Sequence, residues 1–98
     1  MAFKLSRRAV EDLYHIYRTG VEGFGVDQAE RYQDGLEEIF AFLAQYPKAA
    51  RVRTELRQES RAYPYRSHLV FYRLDGDGIF IQRIRNAKED WINQPDEL

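Results

Sequence analysis

The chain contains no cysteine, so disulfide bonds and thiolate chemistry are excluded. It has only two histidines, His15 and His68, and a histidine-based metal site is not expected. Tryptophan and methionine occur once each and proline three times. No apolar run is long enough to span a bilayer, and no basic-then-apolar leader opens the sequence. Nothing matches a zinc, phosphate-loop or dinucleotide motif, so no metal or cofactor is expected. The default expectation is a cytoplasmic protein without a membrane partner.

What is present is an ordinary globular composition: 98 residues, 44% apolar and 32% charged. That length suits one small domain with one core, taken here as residues 1–98. The net charge of −1 hides an asymmetry. Residues 1–47 carry five basic and eight acidic side chains, and residues 48–88 carry ten basic and four acidic. Residues 89–98 carry four acidic side chains and no basic one. The basic half suits an anionic partner, and it equally suits a solvated arginine-rich sheet edge that resists aggregation.

Arg61 to Arg85 holds two β-rich runs around Asp75-Gly76-Asp77-Gly78. Asp-Gly between such runs signals a hairpin, because glycine accepts the positive φ of tight turns. With a four-residue turn, Leu74 faces Ile79, Tyr72 faces Ile81, Val70 faces Arg83 and His68 faces Arg85. The opposite face then pairs Arg73 with Phe80, Phe71 with Gln82 and Leu69 with Ile84. One face would run from apolar beside the turn to basic at the far end.

Upstream, Phe3-Lys4-Leu5 reads as a short strand feeding a helix capped by Ser6. From Arg7 the period is helical, with Ala9, Leu13, Ile16 and Tyr17 on one face. Gly20, Gly23 and Gly25 punctuate the chain before a second helix from Val26 to Tyr46. Its stripe is Ala29, Tyr32, Leu36, Ile39, Phe40 and Leu43, and Gly35 inside it costs stability or permits a close contact. Pro47 closes the segment. Lys48 to Glu59 reads as a loop ending in strand-like structure. Arg61 to Arg66 reads as a strand kept to an edge by Pro64. Ala87 to Asn93 would form one or two helical turns carrying Trp91. The fold class is therefore α+β, an N-terminal helical hairpin packed on a small antiparallel sheet. Leu13, Ile16, Leu36, Ile39, Leu43, Leu69, Phe71 and Ile84 should dominate the core.

The ordered segments LSRRAVEDL at 5–13, FGVDQAERY at 24–32, YPKAARVR at 46–53, SHLVFYR at 67–73 and IFIQRIRNA at 79–87 resemble the ParE branch of the RelE/ParE toxin superfamily. The resemblance covers almost the entire chain. It departs from the family at Arg85 and Asn86, where a leucine and a histidine are usual. It implies a toxin paired with a ParD-like antitoxin that lays a largely helical segment over it. It also implies inhibition of DNA gyrase by protein contact, with nucleic acid met only through the gyrase–DNA complex or the antitoxin. The alternative is a RelE-like ribosome-dependent messenger RNA endonuclease. Relatives that cleave RNA tend to keep a tyrosine or histidine just after the last strand. Asn86, Ala87 and Lys88 stand there in this chain, and no catalytic set is assigned.

Candidate target-contacting residues are Arg83, Arg85, Trp91, His68 and Arg61. Arginine forks suit charged hydrogen bonds, an imidazole can move protons near neutral pH, and a tail tryptophan suits an apolar anchor. Each has a structural reading as well: a strand-start histidine bonded to the backbone, or a tryptophan that packs the tail. The nearest sequence candidate to partner His68 is Glu59. Tyr14, Tyr17 and Tyr32 are candidate antitoxin anchors, and equally core or rim aromatics with polar tips.

Overall fold

The computed structural model describes residues 2–54 and 59–89. The element order is β1 (Phe3–Leu5), α1 (Arg7–Phe24), α2 (Val26–Gln45), β2 (Arg61–Tyr65), β3 (His68–Asp75) and β4 (Gly78–Asn86). Ser6 caps α1 as expected, accepting from the Ala9 N–H at 2.9 Å. Its hydroxyl also donates to the Gln82 carbonyl at 2.7 Å, which docks the start of α1 on β4. Of the three punctuating glycines, only Gly25 breaks the helix. It sits at φ 90°, and its N–H bonds the Val21 carbonyl at 3.0 Å. Gly20 remains helical, where a Cβ would stand 3.2 Å from that of Ala29, so its missing side chain lets the two helices approach. Tyr46, held before Pro47, ends α2.

The four strands form one sheet in the order β1-β4-β3-β2. β2, β3 and β4 make the expected antiparallel meander, but β1 lies parallel to β4. The sheet is therefore mixed rather than antiparallel, because the long excursion through both helices returns the chain to pair in the same direction. Val52 makes a single antiparallel bridge to Arg61, the first residue of β2, and most of the expected strand-like end of the connecting loop lies outside the described residues.

The hairpin register follows expectation near the turn, where Leu74 pairs with Ile79, Arg73 with Phe80 and Tyr72 with Ile81. Asp75 and Gly78 pair with each other, leaving a two-residue loop with Gly76 at φ 61°. Beyond Tyr72 a β-bulge shifts the pairing. Phe71 lies opposite Arg83, Val70 opposite Ile84, Leu69 opposite Arg85 and His68 opposite Asn86. The expected partners of Val70, His68, Phe71 and Leu69 were thus off by one residue. The extra residue is Gln82, buried, accepting from the Ser60 hydroxyl at 2.7 Å and donating to the Glu59 carbonyl at 3.2 Å. The bulge keeps Ile84 on the face that Ile81 occupies. The expected gradient from apolar to basic along that face is absent, because Arg83 and Arg85 take the alternate register positions.

Val70, Tyr72, Ile79, Ile81 and Ile84 pack with Ala9, Leu36, Phe40, Leu43 and Ala44 of the helices. Leu69 and Phe71 are buried as expected, but on the opposite sheet face, where they cluster with Ala62. Leu13, Ile16 and Ile39 are partly buried against the main cluster rather than central to it. The Tyr72 hydroxyl donates to the Pro47 carbonyl at 2.8 Å and accepts from the Ala50 N–H at 3.3 Å, tying the connecting segment to the sheet. Burial raises its pKa above the usual tyrosine value. Among the described residues no helix is long and apolar enough to cross a membrane.

Leu43 is wholly buried and Ile39 is not. Leu43→Ala is expected to lower the unfolding free energy by about 2–5 kcal/mol, and Ile39→Ala by less. Urea denaturation of the two variants, followed by circular dichroism, checks the ranking.

Candidate functional site

Two features of the chain build a cleft where the helical hairpin meets the β2–β3 turn. The first is Gly35 in the middle of α2. A Cβ there would fall 1.8 Å from the Tyr65 hydroxyl, so the bare backbone is what lets the Tyr65 ring lie against the helix. The second is the tight turn Arg66-Ser67, in which Arg66 adopts φ 51°. The turn delivers His68 to the first position of β3, facing α2.

Tyr32, one helical turn before Gly35, meets both residues. Its ring stands edge-on to Tyr65 at 5.2 Å and to His68 at 5.6 Å. Its hydroxyl lies 2.7 Å from His68 Nδ1 and 3.4 Å from the Tyr65 carbonyl. The hydroxyl bridges the two: it donates to the Tyr65 carbonyl and accepts from a protonated Nδ1, or donates to an unprotonated Nδ1, the roles following the imidazole tautomer. Burial lowers the His68 pKa below its usual value, against the opposing pull of Glu89 and Asp12. The fold thus favours the neutral form of His68. The partner of His68 is Tyr32, not Glu59 as the sequence suggested. Arg66 lies over the Tyr65 ring at 5.6 Å, with Nε 3.4 Å from its hydroxyl. The cleft encloses about 760 Å³.

Arg83 lies apart from this cleft, at an interface within the fold. Its Nε and Nη2 donate to the two oxygens of Asp12 at 2.7 and 2.9 Å, and Asp12 also accepts from the Ile84 N–H at 3.0 Å. Both side chains are nearly buried. Arg85 is engaged with Glu89 four residues on. Arg61 sits at the other end of β2 from Tyr65 and donates to the Ala50 carbonyl at 2.6 Å. Tyr14 is exposed, 63% of its surface being accessible, whereas Tyr17 is half-buried. Trp91 and most of the expected 87–93 helix lie outside the described residues; residues 87–89 form a turn. Of the sequence candidates, the fold therefore brings together His68 and Tyr32. It leaves Arg83, Arg85 and Arg61 in three separate settings.

The sequence reading missed Asp12, Tyr65 and Arg31 as residues of interest. Asp12 could have been found, because it stands between Ala9 and Ile16 on the inward stripe of α1. A carboxylate there demands a cation. Arg31 carries no such signal, since it lies on the polar side of α2.

A helical hairpin on a mixed four-stranded sheet has a solved counterpart. A chain from a chromosomal ParDE system of Pseudomonas aeruginosa superposes with a TM-score of 0.76, covering 90% of this chain and 97% of that one at 24% identity. The sequence profile of the ParE toxin of type II toxin-antitoxin systems, parDE, matches residues 3–91. Toxin ParE1 of Caulobacter vibrioides is 34% identical over 85% of this chain and 83% of its own length. Toxin ParE1 of Mycobacterium tuberculosis H37Rv is 33% identical over 90% of this chain and 91% of its own. This chain belongs to the ParE toxin family of type II toxin–antitoxin systems.

Asp12→Ala would remove the carboxylate that takes both the Arg83 fork and the Ile84 N–H. It is expected to cost about 3 kcal/mol in denaturant unfolding. His68 supplies a pH signature. The unfolded chain takes up a proton on this histidine near its ordinary value of 6.5, while the folded chain resists until lower pH. Between the two values the unfolded state holds more protons, so stability falls as pH falls through 6.5. The difference in denaturation midpoint between wild type and His68→Gln, measured from pH 8 to about 5, should shrink along that window.

Proposed function

We propose that the protein inhibits DNA gyrase by protein contact in the cytoplasm and is neutralised by a ParD-like antitoxin. The observation that carries the reading is membership of the ParE toxin family across residues 3–91. Charge supports it: the basic residues concentrate between 48 and 88, whereas the helical half is acidic. Holding an enzyme–DNA complex needs affinity rather than a nucleophile of the toxin's own, and arginine supplies charged hydrogen bonds for it. In this reading His68 and Arg85, with Arg61 and Trp91, face the target, and Arg83 braces β4 beside them through Asp12.

The antitoxin reading draws support from exposed apolar surface. Val10 and Tyr14 on α1, Phe24 and Val26 at the hairpin tip, and Phe42 and Tyr46 on α2 are all exposed. An amphipathic segment laid beside the hairpin and the sheet would cover such positions, with Tyr14, Tyr17 and Tyr32 as anchors. One observation favours a second reading, ribosome-dependent messenger RNA cleavage: a neutral imidazole held by a tyrosine beside Arg66 resembles the start of an acid–base set.

With purified toxin, gyrase, supercoiled DNA and ATP, cleaved gyrase–DNA complexes are expected to accumulate. Arg85→Ala, or truncation before Trp91, should reduce them. No effect on gyrase at any toxin concentration, despite toxicity in cells, overturns the target. New codon-positioned cuts in cellular messages, abolished by His68→Ala, would establish the second reading instead. A co-expressed ParD-like antitoxin should co-elute with the toxin on size exclusion.

A further inference from the structure

The cleft between the hairpin and the β2–β3 turn differs from the rest of the surface in charge. Sixteen of the 98 residues are acidic, yet among the described residues no carboxylate lines it. Two arginines do, Arg31 from α2 and Arg66 from the turn. The carboxylates that act on His68 from nearby, Glu89 and Asp12, are already engaged by Arg85 and Arg83. The cleft therefore concentrates hydrogen-bond donors: two guanidinium forks and the Asn86 amide.

Backbone geometry adds a second observation. Arg66 is the only non-glycine residue at positive φ among the described residues. That conformation is costly for a long side chain and persists where the surroundings hold it. Tyr65 does so, through stacking and through its hydroxyl. The result is an arginine held at the mouth of the cleft. The walls include apolar and aromatic side chains, Tyr65 and a highly exposed Phe24 among them. A volume of about 760 Å³ lies within the range of small-molecule sites.

We propose that this cleft binds a nucleotide through its phosphate monoester, with the base laid on the aromatic wall. Two forks and an amide exceed what the two oxygens of a carboxylate can use. The three terminal oxygens of a phosphate monoester match them. The base supplies the flat apolar surface that Tyr65 and Phe24 would stack. The same chemistry is offered by a free mononucleotide and by the phosphorylated end of a strand. The proposal does not depend on gyrase being the target, since its readout is binding by the toxin alone.

The test is calorimetric titration of the full-length toxin. The probes are adenosine monophosphate, adenosine, a tetranucleotide with and without a 5′-phosphate, and a glutamate-rich peptide. Adenosine monophosphate should bind saturably and about tenfold more tightly than adenosine. Arg31→Gln and Arg66→Gln should each weaken it about tenfold, whereas Arg51→Gln, exposed on the connecting segment, should not. These arginines are surface residues, and unchanged thermal unfolding of each variant will separate lost binding from lost fold. Tighter binding of the phosphorylated tetranucleotide assigns the site to a strand end, and equal or weaker binding assigns it to the mononucleotide. Equal affinity for adenosine and its monophosphate, indifference to Arg66→Gln, or stronger binding of the acidic peptide overturns the proposal.

Discussion

The outer edge of β4 is the constraint on which the fold turns. β1 is three residues long and satisfies that edge only as far as Ile81. Beyond it the strand would present bare backbone groups to an apolar interface. Helix α1 takes over where β1 stops. The Ser6 N–H bonds the Ile81 carbonyl at 2.9 Å, the Ser6 hydroxyl bonds the Gln82 carbonyl, and the Asp12 carboxylate takes the Ile84 N–H. A cap and one carboxylate thus stand in for a missing stretch of strand. The same contacts fix the angle at which the hairpin crosses the sheet, and with it the walls of the cleft.

Much of the architecture was legible because its signals are local. Alternation at Phe3-Lys4-Leu5, a serine before a helical period, and Asp-Gly between β-rich runs each report on a few neighbouring residues. The direction of β1 was not, because nothing within three residues records which distant strand they will meet. The register broke where a side chain outvoted the ladder. Ile81 and Ile84 are three apart, an odd spacing that a regular strand cannot put on one face. That spacing is the mark of the bulge, and it was visible in the sequence. What made the bulge favourable was not: Gln82 finds buried partners in Ser60 and the Glu59 carbonyl, more than twenty residues upstream.

The site divides in the same way. His68 was recognisable as a polar residue at the mouth of a strand, but its partner lies on a helix 36 residues earlier. Tyr32 looked like a core aromatic with a polar tip, and it is one, with the tip spent on the imidazole. The arginines took partners that spacing alone does not record. Alternate spacing in a strand suggested a common basic face, whereas Arg83 and Arg85 each found a carboxylate within the fold. Formal charge counts residues, and the field outside a protein counts only what its own partners have not neutralised.

Gly35 and Tyr65 share one volume between α2 and β2. This makes the pair a constraint on the order in which the chain can change. A side chain at 35 is incompatible with a full tyrosine at 65, and a small residue at 65 leaves a void beside a bare helix. Drift must therefore pass through the void, first shrinking the strand residue and then filling the helix. Across the family the sizes at these two positions should vary inversely. Chains that have made the exchange would also have lost the shelf on which Tyr32 and His68 meet.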